Sequence, residues 1–110
     1  MQQTLLVMTN LPDMPAAKAM AQQLVEQHLA ACVNIMPGVH SVYRWQGALE
    51  EAGELSLLIK TTGSRYAELE AVIKAMHPYQ VPEIIALPIV GGLPQYLDWI
   101  AEETKRNVDV

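Results

Sequence analysis

The chain has 110 residues, 51% of them apolar with no phenylalanine, and a formal charge of −5 from twelve acidic and seven basic side chains. It is long enough for one domain, residues 1–110, whose core needs no disulfide or metal staple, and its scattered basic residues exclude a nucleic-acid footprint. The single cysteine, Cys32, fits a reducing compartment and no apolar run approaches the ~18 residues of a membrane span, so the expectation is a cytoplasmic protein off the membrane.

Thr4 to Thr9, TLLVMT, reads as a short buried strand broken by Asn10-Leu11-Pro12-Asp13. Asp13 is placed to cap a helix, and Pro15 falls in its first turn, where a missing N–H costs little. Ala17, Met20, Ala21, Leu24, Val25 and His28 recur at helical spacing as an inner stripe, with Lys18, Gln22, Gln23 and Glu26 on the wet side. Ala31 to Met36 reads as a second strand, and Pro37-Gly38 marks a bulge or bend.

Val39, Tyr43 and Trp45 then alternate with His40, Arg44 and Gln46; Leu55, Leu57 and Ile59 alternate with Glu54, Ser56 and Lys60. A period of two on both sides of Gln46-Gly47-Ala48 predicts a β-hairpin. Its arms, Val39 to Gln46 and Leu49 to about Thr61, exceed the usual strand of ~5–6 residues. Ser64 is expected to cap a helix with Leu69, Val72, Ile73 and Met76 inward, which Pro78 ends at His77. Tyr79 to Glu83 is a loop stiffened by prolines 78 and 82. Ile84 to Val90 reads as a last strand, confined by Pro88 to an edge or a bulge. Gly91-Gly92 leads into a helix from about Pro94 to Thr104 with Leu93, Tyr96, Leu97 and Ile100 inward, and the tail from Lys105 is expected to fray.

The order β-α-β-β-α-β plus a terminal helix is the split arrangement of the ferredoxin-like α+β sandwich, with the first and third strands central. The second strand is then an edge, and it carries Tyr43 and Trp45. An edge that apolar aggregates unless something pairs with it. Another copy of the chain is the simplest partner, so the long hairpin is read as an assembly element.

LVEQHLAACVNI (Leu24 to Ile35), YRWQG (Tyr43 to Gly47), LLIKTT (Leu57 to Thr62), HPYQVPEIIALP (His77 to Pro88) and YLDWI (Tyr96 to Ile100) together resemble the CutA family of divalent-cation-tolerance proteins. The resemblance covers almost the whole chain in the family's order. It implies a ferredoxin-like subunit in a tight, PII-like homotrimer whose hairpin arms pair across subunit boundaries. It also implies a role in divalent-cation tolerance, copper binding in some members, no required cofactor and no defined reaction. Copper-binding members can present a cysteine at the end of the first strand and a second histidine just before the HPY motif. Those positions are Thr9 and Met76 here, which leaves only His77 of that trio.

His77 is the candidate metal ligand, since neutral imidazole suits copper and zinc. The competing role is a helix-end histidine that bonds a carbonyl and fixes the loop. A lone histidine rarely holds a metal tightly, because three or four ligands are the norm; a neighbouring copy is a source of others, such as Glu54 or Glu83. Tyr43, Trp45, Lys60, Tyr79 and Glu83 are the groups that the family's inter-subunit cleft would collect. Lys60 could alternatively pair with a glutamate and fix the trimer's register. Cys32 reads as a small buried hydrophobe, and Met8, Met14, Met20, Met36 and Met76 read as core filling rather than a copper path. His40 reads as a surface or interface residue. A PII-like metabolite sensor is the second functional reading; an enzyme built on His77, Lys60 and Glu83 is the third, and no nucleophile sits beside a base to support it.

Overall fold

The computed structural model describes residues 3–106. Strand β1 (Thr4–Leu11) lies inside a four-stranded sheet, and helix α1 (Met14–Glu26) follows it. Asp13 is extended at the N-cap and accepts a hydrogen bond from the Ala16 N–H at 2.9 Å, satisfying one of the helix's orphan donors. At the far end His28 turns left-handed, with φ +59°, and the Leu29 and Ala30 N–H groups both return to Leu24 O. His28 therefore lies beyond the helix and outside its inner stripe; it is exposed, and its Nδ1 lies 3.0 Å from Glu103 O. Val25 also faces outward.

Strand β2 (Cys32–Trp45) and strand β3 (Ala48–Thr62) form the hairpin, with 14 and 15 residues. Gln46 and Gly47 turn it with φ of +50° and +83°, the paired positive values of a two-residue type I′ turn. Pro37-Gly38 makes a bulge between Met36 and Val39, where β2 carries an extra residue against β3. That residue inverts the side-chain parity. Cys32, Asn34 and Met36 pair with Lys60, Leu58 and Ser56 before it; Val39, Ser41 and Tyr43 pair with Glu54, Ala52 and Glu50 after it.

A 3₁₀ turn, Gly63–Arg65, leads into helix α2 (Tyr66–Met76). Ser64 lies within that turn, so the N-cap falls to Arg65 without a side-chain cap bond. Arg65 is buried, and it fastens the end of α1 by donating to His28 O and Gln27 O while its Nη1 meets Glu68 at 3.1 Å. His77 leaves the helix extended, as the following proline demands. Strand β4 (Ile85–Pro88) is shorter than its apolar run and, among the described residues, pairs only with β1, so Pro88 ends an edge strand.

The sheet order is β2-β3-β1-β4, all antiparallel. Val7, Leu11, Leu57 and Ile59 pack on one face against Met20 and Leu24 of α1 and Leu69 and Ile73 of α2. The other face carries Leu6, Met8, Leu58, Ile85 and Leu87 in register, with Ile85 and Leu87 exposed and the rest half-buried. Helix α3 (Pro94–Glu103) reaches the sheet through buried Ile100 and through Thr104, whose Oγ1 meets Thr62 Oγ1 at 3.2 Å. Leu93 and Tyr96 are exposed rather than inward, as are Met36 and Met76; of the five methionines expected to fill the core, Met20 does so fully. Gly92 lies where an added Cβ would stand 3.1 Å from Leu97 Cδ2, so a larger residue there would push the Leu97 side chain aside. Residues 107–110 of the tail lie outside the described residues, while Lys105 and Arg106 reach Glu102 and Glu68.

Candidate functional site

The hairpin and the loop after α2 enclose a groove of about 590 Å³ at the end of β1. Each wall follows from a local rule. Antiparallel register sets Asn10 opposite Ser56, whose Oγ donates to Asn10 Oδ1 at 2.6 Å. Glu54 comes two residues earlier on β3, beside the bulge. The parity change puts Ser41 and Tyr43 on the side of β2 that pairs with Glu54 and its neighbours. Prolines 78 and 82 shape the loop that supplies Tyr79, Gln80, Val81 and Glu83.

Tyr79 and Glu54 close the floor. The Tyr79 phenol donates to Glu54 Oε2 at 2.8 Å, and Glu54 is only 8% exposed. Burial, the bond to Glu54 and the charge of that carboxylate push the Tyr79 phenol up to about 12 from its usual 10.0. At the rim, Asn10 Nδ2 reaches Glu83 Oε1 at 3.5 Å.

Of the sequence candidates, Tyr43, Trp45, Tyr79 and Glu83 line this groove. Lys60 does not. It stands six residues along β3 from Glu54, about 20 Å at the rise of a strand, bonded to Asn34 Oδ1 and 3.9 Å from Cys32 Sγ. Its partner within the chain is thus an amide, and no glutamate pairs with it among the described residues. His40 meets Glu51 at 2.7 Å on the exposed hairpin, away from the groove lining.

His77 lies behind the loop, buried, with its ring 4.8 Å from that of Tyr79. Its Nε2 is 2.7 Å from Asn10 O, and its Nδ1 accepts from the Tyr79 N–H at 3.2 Å. A carbonyl only accepts and an N–H only donates, so this pair of bonds requires the neutral ring with its proton on Nε2. Both nitrogens are then occupied. This arrangement does not fit the expected metal-ligand role, and no three of His, Cys, Asp and Glu among the described residues gather closely enough to hold a metal ion. The residues that do fit the histidine are those of a loop clamp.

The sequence from residue 5 to residue 103 matches the family model described as CutA1 divalent ion tolerance protein. The chain belongs to the CutA1 divalent ion tolerance family.

Within the CutA family, the divalent-cation tolerance protein CutA of Thermus thermophilus is 52% identical over 98 residues, which are 89% of this chain and 95% of that one. The chloroplastic protein CutA of Arabidopsis thaliana is 43% identical over 103 residues, covering 94% of this chain and 57% of that longer protein. A solved structure of the Thermus thermophilus divalent cation tolerance protein superposes with a TM-score of 0.91 at 50% identity, covering 93% of this chain and 99% of the other. The α+β fold with its four-stranded antiparallel sheet and three helices is thus the CutA fold. Reading side chains by type alone misses Asn10, Ser41 and Gln80 in the groove. Glu54, which sequence reading names only as a ligand that a neighbouring copy could supply, forms the groove's floor within this chain.

Proposed function

We propose that this chain is a homotrimeric binding protein acting in divalent-cation tolerance, with no reaction of its own and with its ligand held in the groove beneath the hairpin. The observation that carries the proposal is the hairpin. Its outer arm is an edge strand on which Val42, Tyr43 and Trp45 are exposed at 59%, 44% and 39%, and Leu49 on the paired arm is 67% exposed. The molecule measures 50 × 29 × 23 Å, and its radius of gyration is 14.8 Å, against about 13 Å for a compact chain of this size. An arm this long and apolar is stable in water when a second chain continues its sheet. The opposite sheet face, where Ile85 and Leu87 are exposed beside half-buried Leu6, Met8 and Leu58, offers further apolar area to the same assembly. Closed cyclic symmetry would satisfy every copy alike.

A cytoplasmic setting is part of the proposal and rests on the lone thiol of Cys32. Copper enters the proposal only as a solute that the cell must tolerate, since the His77 ring is committed to the backbone. Titration of Cu(II) and Zn(II) into the purified protein and into His77→Ala tests that part. Equal binding by both is expected, and loss of tight binding in the variant would restore His77 as a ligand.

A second reading, a PII-like sensor of a small metabolite, is favoured by the groove itself. Its volume lies within the ~300–1,000 Å³ range of small-molecule sites. A thermal-shift screen tests it, because a ligand that binds only the folded protein raises the midpoint with occupancy.

A further inference from the structure

We infer that the groove recognises an organic ammonium cation, an amine or polyamine, held by the carboxylates of Glu54 and Glu83 and the rings of Tyr43, Trp45 and Tyr79; this rests on reading the groove as a ligand site. The charge balance points there first. Two carboxylates line the groove and no lysine, arginine or histidine does. Among the described residues neither glutamate belongs to an ion pair, and Glu54 is more than nine-tenths buried. Its Oε2 accepts the Tyr79 hydroxyl, a neutral donor that leaves the charge uncompensated. A carboxylate withdrawn from water without an opposite charge is costly, and a cation in the groove relieves that cost.

The aromatic rings then select the kind of cation. Three of the ten lining residues are Tyr or Trp, whose faces attract ammonium groups. A hydrated divalent metal gains less from such rings and binds best to several close donors, and no three of His, Cys, Asp and Glu among the described residues gather to supply them. The volume, about 590 Å³, suits a chain of carbons between charges rather than a bare ion. Anionic metabolites meet two like charges and no basic group.

Isothermal titration at low salt, with spermidine, glutarate and glycerol as probes, tests the inference. Spermidine is expected to bind and the other two are not. Glu54→Gln and Glu83→Gln should each weaken spermidine by tenfold or more; the second, at an exposed position, guards against a folding defect in the first. Tyr43→Leu should weaken it severalfold with the charge unchanged, and Glu50→Gln, on the hairpin but outside the groove lining, should leave it unaltered. Equal spermidine binding by wild type and Glu83→Gln would mean diffuse attraction to an acidic protein and would overturn the inference. Binding of glutarate or glycerol that Tyr43→Leu abolishes would keep the groove as a ligand site and overturn the cation. No binding by any probe would remove both. A Glu83→Gln variant that binds no amine but sediments differently from wild type would assign the groove to a basic side chain of a neighbouring copy, which also overturns it.

Discussion

Tyr79 and Glu54, 25 residues apart in sequence, are joined by a 2.8 Å hydrogen bond from phenol to carboxylate. The bond ties the loop after α2 to the strand that carries the hairpin, so the groove has a fixed floor. It also makes stability depend on pH in a defined window. The folded phenol titrates at about 12 and the unfolded one near 10.0, so between those values the folded chain binds more protons than the unfolded chain. The contribution is whole below pH 10.0 and is lost as pH climbs through about 12. Melting curves from pH 9 to pH 12 should therefore fall less steeply for Tyr79→Phe, which cannot ionise. Some slope should persist, because burial and Glu70 raise Tyr66, and burial and Cys32 raise Tyr96. Superimposable slopes in wild type and variant would contradict the assignment.

His77 is expected to matter for folding. His77→Ala leaves the Asn10 carbonyl and the Tyr79 N–H without the partners they have here. Removing one side of such bonds costs about 2–3 kcal/mol in total. Urea unfolding should show that loss, and a variant as stable as wild type would show that the clamp contributes little.

Thr9 predicts a change of the opposite sign. It lies in the core of β1 at 0% exposure, and its Oγ1 has no hydrogen-bond partner. Valine has nearly the same shape without the hydroxyl. Thr9→Val should stabilise the fold by about 1 kcal/mol, on the scale of a buried hydroxyl left unsatisfied. A fall in the unfolding midpoint would mean that the hydroxyl is satisfied in solution.

These residues also show how far the chain could be read before its structure. Asp13, Pro37-Gly38, Gly47 and Pro78 act through local backbone chemistry, so the helix start, the bulge, the turn and the helix stop follow from them directly. Helical spacing continues through Val25, His28 and Met76, yet those side chains are exposed: a stripe in sequence does not report where a helix ends or what covers it. The same holds for Leu93 and Tyr96 on and beside α3. In the groove, Tyr43, Trp45, Tyr79 and Glu83 stand together; Ser41 and Tyr43 face the Glu54 side because a one-residue bulge changes the parity of β2, whereas Asn10 is brought in by its register opposite Ser56. Lys60 stands six residues along β3 from Glu54, outside the groove of a single chain, and both His77 ring nitrogens meet backbone groups.

The turn offers a separate check. Gly47 has φ +83° with open space around its missing Cβ, so Gly47→Ala meets backbone strain and no clash. The expected cost is about 1–2 kcal/mol. Gln46, at φ +50°, occupies a conformation that asparagine adopts more readily, so Gln46→Asn should raise the melting temperature slightly. Opposite signs for these two variants are the predicted outcome; a destabilised Gln46→Asn would mean that the Gln46 side chain holds the tip.

The hairpin's exposed arm makes oligomeric state the most direct test of the whole account. Sedimentation equilibrium at about micromolar concentration and below should give three chain masses for wild type, and its unfolding midpoint should rise with protein concentration. Trp45→Glu should shift the mass toward a single chain. A wild-type protein that sediments as one chain and unfolds independently of concentration would contradict the account.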